Sequence, residues 1–294
     1  MHRFIFHNDR ILPLERVRLS PGQAGLLNGW GLFSTLRIYD GYPFAFERHW
    51  QRLVSDASRI ELPLTFDPES VWNELLGLVR ANQVKSGVAR IYFTFNRVGY
   101  WCSDEPFPPV DWIMYTADLP ARETIARLAL MEHGRYSASP LSGTKVTSWL
   151  SNVWSLQQAQ NRGFDEIILL NERAEVTECT SANVFCVRSG KVSTPPLSSG
   201  CLAGVTRAIL LEMASSVGVT VEESVLTRQD LWAADEVFLT STTREVCPVK
   251  EIEEHKVPVV GGEVSSRLKK AFSAYVAEEI ARCARMGQTQ RIKT

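Results

Sequence analysis

The sequence predicts an α+β protein of two domains, and three observations carry that expectation. The chain has 294 residues, of which 45% are apolar and 22% charged, enough for two packed cores in an ordinary globular protein. Strand-like and helix-like stretches come in runs without strict alternation, which argues against a doubly wound parallel sheet. Strand signals also stop near "ADLPARET" (117–124), a natural break. The expected division is a small α+β domain over 1–119, a linker leading into the second domain over 120–133, and a larger domain over 134–294.

Each element follows from local pattern. "HRFIFHNDRIL" reads as a hairpin turning at Asn8-Asp9, and "LFSTLRIYDGYPFAF" as a second turning at Asp40-Gly41. Trp50, Leu53, Val54, Ala57 and Ile60 recur at helical spacing in "ERHWQRLVSDASRIEL". A second helix, "PESVWNELLGLVRANQV", precedes the strands "ARIYFTFNR" and "WIMYTADL", with a proline-rich loop between them. Past the break, "NVWSLQQAQNRGF" is a helix closed by Gly163, and "EIILL" a strand. "ANVFCV" and "GKVSTPP" pair around Ser189-Gly190. "GVTRAILLEMASSVG" is a helix closed by Gly218, "DEVFLTS" a strand, and "SSRLKKAFSAYVAEEIARCARM" a C-terminal helix.

Several function classes are excluded by composition. Net charge is −1, and no lysine/arginine run is longer than "LKK", so a nucleic-acid partner is not expected. Six cysteines occur without a C-x-x-C pair, which argues against zinc-ribbon or other metal spacing and against a disulfide framework. "MHRFIFHNDRILP" lacks a long apolar core and no run reaches spanning length, so neither a signal peptide nor a membrane partner is expected. A reduced, cytoplasmic protein is the expectation.

One lysine stands apart. Of eight lysines, Lys145 alone lies in a stretch, "SPLSGTKVTSWLSNVW", with no other charge between Arg135 and Arg162. A nucleophilic amine must be neutral, and an apolar, acid-free setting lowers lysine's pKa. Gly204-Val205-Thr206 opens a helix whose free N–H groups suit an anion, although a plain threonine cap reads the same way. "FLTSTTREV" ends a strand in four hydroxyls, Thr240 to Thr243, either an anion cup or a polar exit. "GWGLFS" (29–34) is a broken G-x-G-x-x-G with no helix behind it, so it supports no dinucleotide site. An imine-forming lysine with two hydroxyl-rich anion cups meets the needs of pyridoxal 5'-phosphate, and Glu178 in "AEVTECTSANVF" is placed to face its pyridine nitrogen.

These motifs, in this order from "GLFSTLRIYDGYPFAFERHWQRL" to "DEVFLTSTTREVCPV", resemble the class IV, fold-type IV pyridoxal-phosphate enzymes. That group holds D-amino-acid and branched-chain aminotransferases, (R)-selective amine transaminases and aminodeoxychorismate lyases. The resemblance implies a small α+β domain and a larger pseudo-barrel domain with the cofactor between them. It also implies a homodimer whose partner loop covers the site. Lys145 is then the Schiff-base lysine and Glu178 the partner of the pyridinium nitrogen. Arg52, in the H-x-x-R-L of "RHWQRL", binds the phosphate with Val205, Thr206 and Thr242, and Leu202 packs on the ring. The implied reaction moves an amino group between an amino acid, D- or branched-chain, and a 2-oxo acid. The alternatives are release of p-aminobenzoate and pyruvate by the lyase, or a non-catalytic cofactor-binding homologue.

The substrate side departs from the family subgroups. Phe33-Ser34 stands where the branched-chain type has Phe-Glu. The branched-chain type's Tyr-x-Arg reads Tyr92-Phe93-Thr94, without the arginine, and "NRVGYWCSD" lacks the Arg-x-His of the D-amino-acid type. For a substrate carboxylate the candidates are Arg37, on one strand face with Phe33 and Thr35, and Arg97; either serves equally as a surface ion pair. Phe33 and Thr243 complete the substrate set. Tyr100, Trp101 and Trp149 are candidate pocket walls or plain core.

Overall fold

Strand periodicity and helix caps place most elements where the sequence expects them. The computed structural model describes residues 1–19, 22–96, 108–121 and 123–291, with side chains through Arg285. Contacts group the chain into two units: Met1–Pro120 with Thr144–Trp149 and Val276–Thr294, and Ala121–Gly143 with Leu150–Tyr275. The segment carrying Lys145 thus belongs to the first unit.

The first unit contains β1 (Phe4–His7), β2 (Arg10–Pro13), a one-turn helix α1 (Ala24–Leu27), β3 (Gly31–Tyr39) and β4 (Tyr42–Pro43). Helices α2 (Phe46–Arg59) and α3 (Pro68–Ala81) follow, then β5 (Gly87–Phe95) and β6 (Val110–Ala117). The strands form one antiparallel sheet in the order β2-β1-β6-β5-β3-β4. Leu32, Leu36, Ile38, Ile91, Phe93 and Met114 bury one face of it beneath α2 and α3. Each such side chain contributes about 1.5–3 kcal/mol on leaving water. Helix α3 starts as its sequence dictates: the Asp67 carboxylate accepts from Ser70 N at 2.8 Å and Pro68 occupies the first turn. Removing that cap would cost about 1 kcal/mol. Helix α2 has no side-chain cap of its own; Ala45 before it is left-handed (φ 55), and its N–H donates to Glu279 Oε1 at 2.8 Å. The buried stripe of α2 includes two polar residues, His49 and Asp56.

The second unit holds a nine-stranded mixed sheet. It contains β7 (Ala126–Met131), α4 (Leu150–Asn161), β8 (Glu166–Leu170), β9 (Val176–Cys179), β10 (Asn183–Arg188) and β11 (Lys191–Thr194). Next come α5 (Val205–Met213), β12 (Val221–Glu223), α6 (Arg228–Trp232), β13 (Glu236–Ser241), β14 (Glu245–Ile252) and β15 (His255–Lys256). The order is β12-β11-β10-β13-β14-β7-β8-β9 with β15 beside β14, and β9 returns against β10, so the sheet curls upon itself. Strand β8 is buried along its whole length, as a strand covered on both faces must be. Helix α7 (Glu263–Arg291) begins on Glu236, whose carboxylate accepts from Val264 N and Ser265 N.

Local pattern leaves some of this invisible. Strand β7 lies inside the stretch read as a linker, and β9 carries no clear alternation because both of its faces are packed.

Candidate active site

Strand β4 is only two residues long and pairs only with Ile38 and Tyr39, which leaves the Gly31–Phe33 edge of β3 open. The Lys145 segment fills that edge. Phe33 N donates to Lys145 O at 3.1 Å, Leu32 bridges Val146, and Thr147 N donates to Gly31 O at 2.9 Å. The Thr147 hydroxyl adds a 2.7 Å bond to Gly29 O. This explains the broken glycine motif. A Cβ on Gly29 (φ +64) would lie 2.8 Å from Ser148 Cα, and one on Gly31 3.0 Å from Thr147 Oγ1. The two glycines admit another backbone at close range, not a dinucleotide.

The acid-free setting read from local sequence does not hold in space. Asp56, on α2, accepts from the Lys145 backbone N–H at 3.3 Å. Both main-chain groups of Lys145 are therefore bonded, and its Nζ lies 4.6 Å from the Phe33 ring centroid. Burial raises the Asp56 carboxyl above its usual value, against the pull of Arg52 and of the Lys145 N–H.

Arg52 stands one helical turn before Asp56. Its Nη2 donates to Ser34 Oγ at 2.9 Å, and Ser34 Oγ lies 2.8 Å from His49 Nδ1. Burial, then Arg52, then Lys145 hold His49 well below its ordinary pKa, so it is neutral. Local pattern assigns no role to Ser34, His49 or Asp56. The available signal is spacing: 49, 52 and 56 lie along one helical face.

The other face of the sheet carries Phe33. Tyr92 stacks beside it at 5.5 Å, Trp149 meets it edge-on at 5.9 Å, and Arg90 lies 5.7 Å over its ring. Arg90 Nη1 donates to Tyr92 Oη at 3.1 Å, with Tyr115 Oη 3.5 Å further on. Burial and the Tyr92 hydroxyl push the Tyr115 phenol up to about 12. The guanidinium missing after Tyr92 is thus present two residues before it, on the same face by period-2 alternation. Arg37 goes elsewhere: it lies 4.9 Å over the Tyr39 ring and reaches Ser86 Oγ at 3.4 Å. Four residues of strand, about 13 Å, separate it from Phe33. Arg97, Tyr100 and Trp101 lie outside the described residues.

The second unit gathers Glu178, Leu202, Val205 and Thr206. Glu178 is buried on β9; Arg135 Nη2 donates to its Oε1 at 3.0 Å and Leu202 N to its Oε2 at 3.0 Å. Asn152 fixes Arg135 at 2.9 Å. Two residues past Leu202, Gly204 opens α5 with no side-chain cap, so no capping side chain takes up the first N–H groups of the helix. Any side chain at Gly204 would collide with Asn183 Oδ1. Asn183 pairs across the sheet with Thr240, whose buried hydroxyl has no hydrogen-bond partner among the described residues. Thr242 and Thr243 form the turn just beyond β13, tied by Arg244 N to Ser241 Oγ at 3.1 Å. The buried Glu166 accepts from Ser181 Oγ at 2.6 Å and also contacts Thr180 and Arg244, joining this turn to the end of β9.

These residues suit a phosphorylated, ring-nitrogen-bearing cofactor. An uncapped helix start and an orphaned buried hydroxyl welcome an anion. Glu178 keeps lone pairs to spare for a cationic N–H. The cysteines offer no competing nucleophile among the described residues, since burial pushes Cys186 and Cys201 up to about 12.

A two-unit α+β enzyme with a lysine fixed on a sheet edge is the class these features define. Residues 31–252 match the amino-transferase class IV family, and the chain belongs to it. It is 26% identical over 282 residues to the branched-chain-amino-acid aminotransferase of Salmonella typhimurium, covering 92% of this chain and 91% of that one. It is 28% identical over 288 residues to the aminodeoxychorismate lyase of Bacillus subtilis, covering 94% and 96%. Among solved structures, the T.th. branched-chain amino acid aminotransferase complexed with N-(5'-phosphopyridoxyl)-L-glutamate superposes with a TM-score of 0.84. It shares 27% identity over 94% of each chain.

Proposed function

We propose that this chain is a pyridoxal 5'-phosphate-dependent aminotransferase that moves an amino group between an amino acid and a 2-oxo acid. The observation that carries the reading is the seat of Lys145, bonded at its N–H by Asp56 and at its C=O by Phe33, inside the family match. In this reading Lys145 carries the cofactor covalently and, once released, moves the proton of the substrate Cα. Glu178 holds a proton on the ring nitrogen, and Leu202 packs against the ring. Arg52, the N–H groups of Val205 and Thr206, and Thr242 grip the phosphate. When bound, the cofactor supplies an electron sink for the charge left by proton removal.

For the substrate carboxylate, Arg90 with Tyr92 takes the place first given to Arg37, because it shares the Phe33 end of the sheet. Phe33 and Thr243 stay in the substrate set. The relatives' names favour a branched-chain donor and the sequence resemblance keeps a D-amino acid beside it; a screen of D- and L-amino acids with (R)-amines decides between them. The homodimer, the cytoplasmic location and the division at 119 and 133 belong to the same proposal. Among the described residues, no helix is long and apolar enough to cross a membrane.

Borohydride reduction of the cofactor-loaded protein followed by peptide mapping tests the core claim. Label on Lys145 supports it, and label elsewhere or nowhere ends it. The Bacillus subtilis relative keeps the lyase reaction in view, so 2-oxo-acid-dependent loss of an amino donor should be measured beside p-aminobenzoate release. Release of p-aminobenzoate without amino transfer would replace the aminotransferase reading.

A further inference from the structure

We propose that Ser34 and His49 form a buried hydrogen-bond relay that positions the Arg52 guanidinium for its anionic ligand. The inference rests on the reading that Arg52 grips the cofactor phosphate.

Ser34 lies on the core face of β3, fully buried between Leu32 and Leu36, where an apolar residue would pack as well. A hydroxyl there needs a reason. It meets Arg52 Nη2 at 2.9 Å and His49 Nδ1 at 2.8 Å. A guanidinium only donates, so Ser34 Oγ accepts from Arg52. The hydroxyl has one proton of its own, and a buried donor left unspent is costly. The acceptor within reach is His49 Nδ1, so His49 is the neutral tautomer with its proton on Nε2. Its surroundings agree: it is buried, and Arg52 and Lys145 both disfavour a third positive charge. Asp56, one turn further along α2, bonds the Lys145 N–H.

The relay gives Arg52 a fixed direction. An arginine side chain has many rotamers, and one already anchored loses less freedom when its ligand arrives. Ser34 is also the neighbour of Phe33, whose N–H holds the Lys145 carbonyl. One dipeptide thus serves the lysine seat through its backbone and the arginine through its side chain. Ser34 is the position at which the sequence departs from the Phe-Glu of the branched-chain type. The relay thus sets a neutral group against Arg52, while the carboxylate that feels its charge is Asp56.

The test separates phosphate grip from general fit. Apo-protein is titrated with pyridoxamine 5'-phosphate and with pyridoxamine, and the ratio of affinities isolates the phosphate's share. Ser34→Ala should cut that ratio roughly tenfold while leaving pyridoxamine binding unchanged, and Ser34→Thr should restore most of it. An unchanged ratio in Ser34→Ala, or equal weakening of both ligands, overturns the relay. Arg52→Gln separates the relay from the phosphate reading beneath it. If it too leaves the ratio unchanged, the phosphate reading of Arg52 falls; if it lowers the ratio where Ser34→Ala does not, only the relay falls. The unmutated protein offers an independent check. Nitrogen-15 shifts of His49 should report a bare Nδ1 and a protonated Nε2, and the reverse pattern overturns the proposal.

Discussion

The two units hold charge by different means. In the first, the groups proposed to do the work are long cationic side chains, Arg52, Arg90 and Lys145, steered by other side chains and a sheet edge. In the second, they are backbone N–H groups at the start of α5, short hydroxyls after β13, and one carboxylate braced by Arg135. Backbone dipoles are set by the fold and cannot be removed by substitution. Side-chain grips depend on one or two hydrogen bonds each. The first unit should therefore be the fragile half of the chemistry and the second the tolerant half, with Glu178 its exception.

Substitutions should rank accordingly. Lys145→Ala should abolish borohydride labelling and cut turnover on the order of 10³-fold or more, with the melting temperature little changed. Labelling that persists would show the lysine misassigned. Glu178→Gln should retain cofactor yet turn over on the order of 10²-fold more slowly, as steady-state rates on cofactor-saturated protein will show. Arg90→Gln should raise KM for the carboxylate substrate by roughly 10- to 100-fold with a smaller change in kcat. A fall in kcat alone would move Arg90 out of substrate binding. Thr206→Val, in the backbone-built half, should weaken cofactor binding only about two- to tenfold. A loss as large as that of Arg52→Gln would erase the contrast between the two units.

The smallest effects concern pH, and the two units mark opposite ends of the scale. In the second unit, the Ser137 hydroxyl and N–H hold the half-buried Glu172 carboxyl down to about 2 from its usual 4.5. A lowered carboxyl stabilises the fold above its unfolded value, and that support is lost as pH falls through about 2. Ser137→Ala should bring acid unfolding to higher pH, read by circular dichroism. In the first unit, Tyr115 is raised to about 12 from 10, so its contribution is full below 10 and fades as pH rises through about 12. Tyrosinate absorbance should show one late-titrating phenol that disappears in Tyr115→Phe.

Much of the first unit is legible in the chain because its signals are local. Alternation in "LFSTLRIY" and "ARIYFTF" sets which side chains share a face, and Asp67-Pro68 announces a helix start. Strand β9, which presents Glu178, is hidden because a strand buried on both sides has no alternation. Reading Lys145 by its sequence neighbours misses the acid that stands next to it in space. Its acid, Asp56, comes from 89 residues away and bonds the backbone rather than the amine.

Sequence alone determined most element types, the lone lysine and the hydroxyl-rich turns, since these depend on backbone preference and spacing within a few residues. Only tertiary structure decided which arginine shares the Phe33 ring with the lysine, what the twin glycines accommodate and how Ser34 is used. Those choices are made by strand register and by a helix laid across a sheet, which join residues that no local window contains.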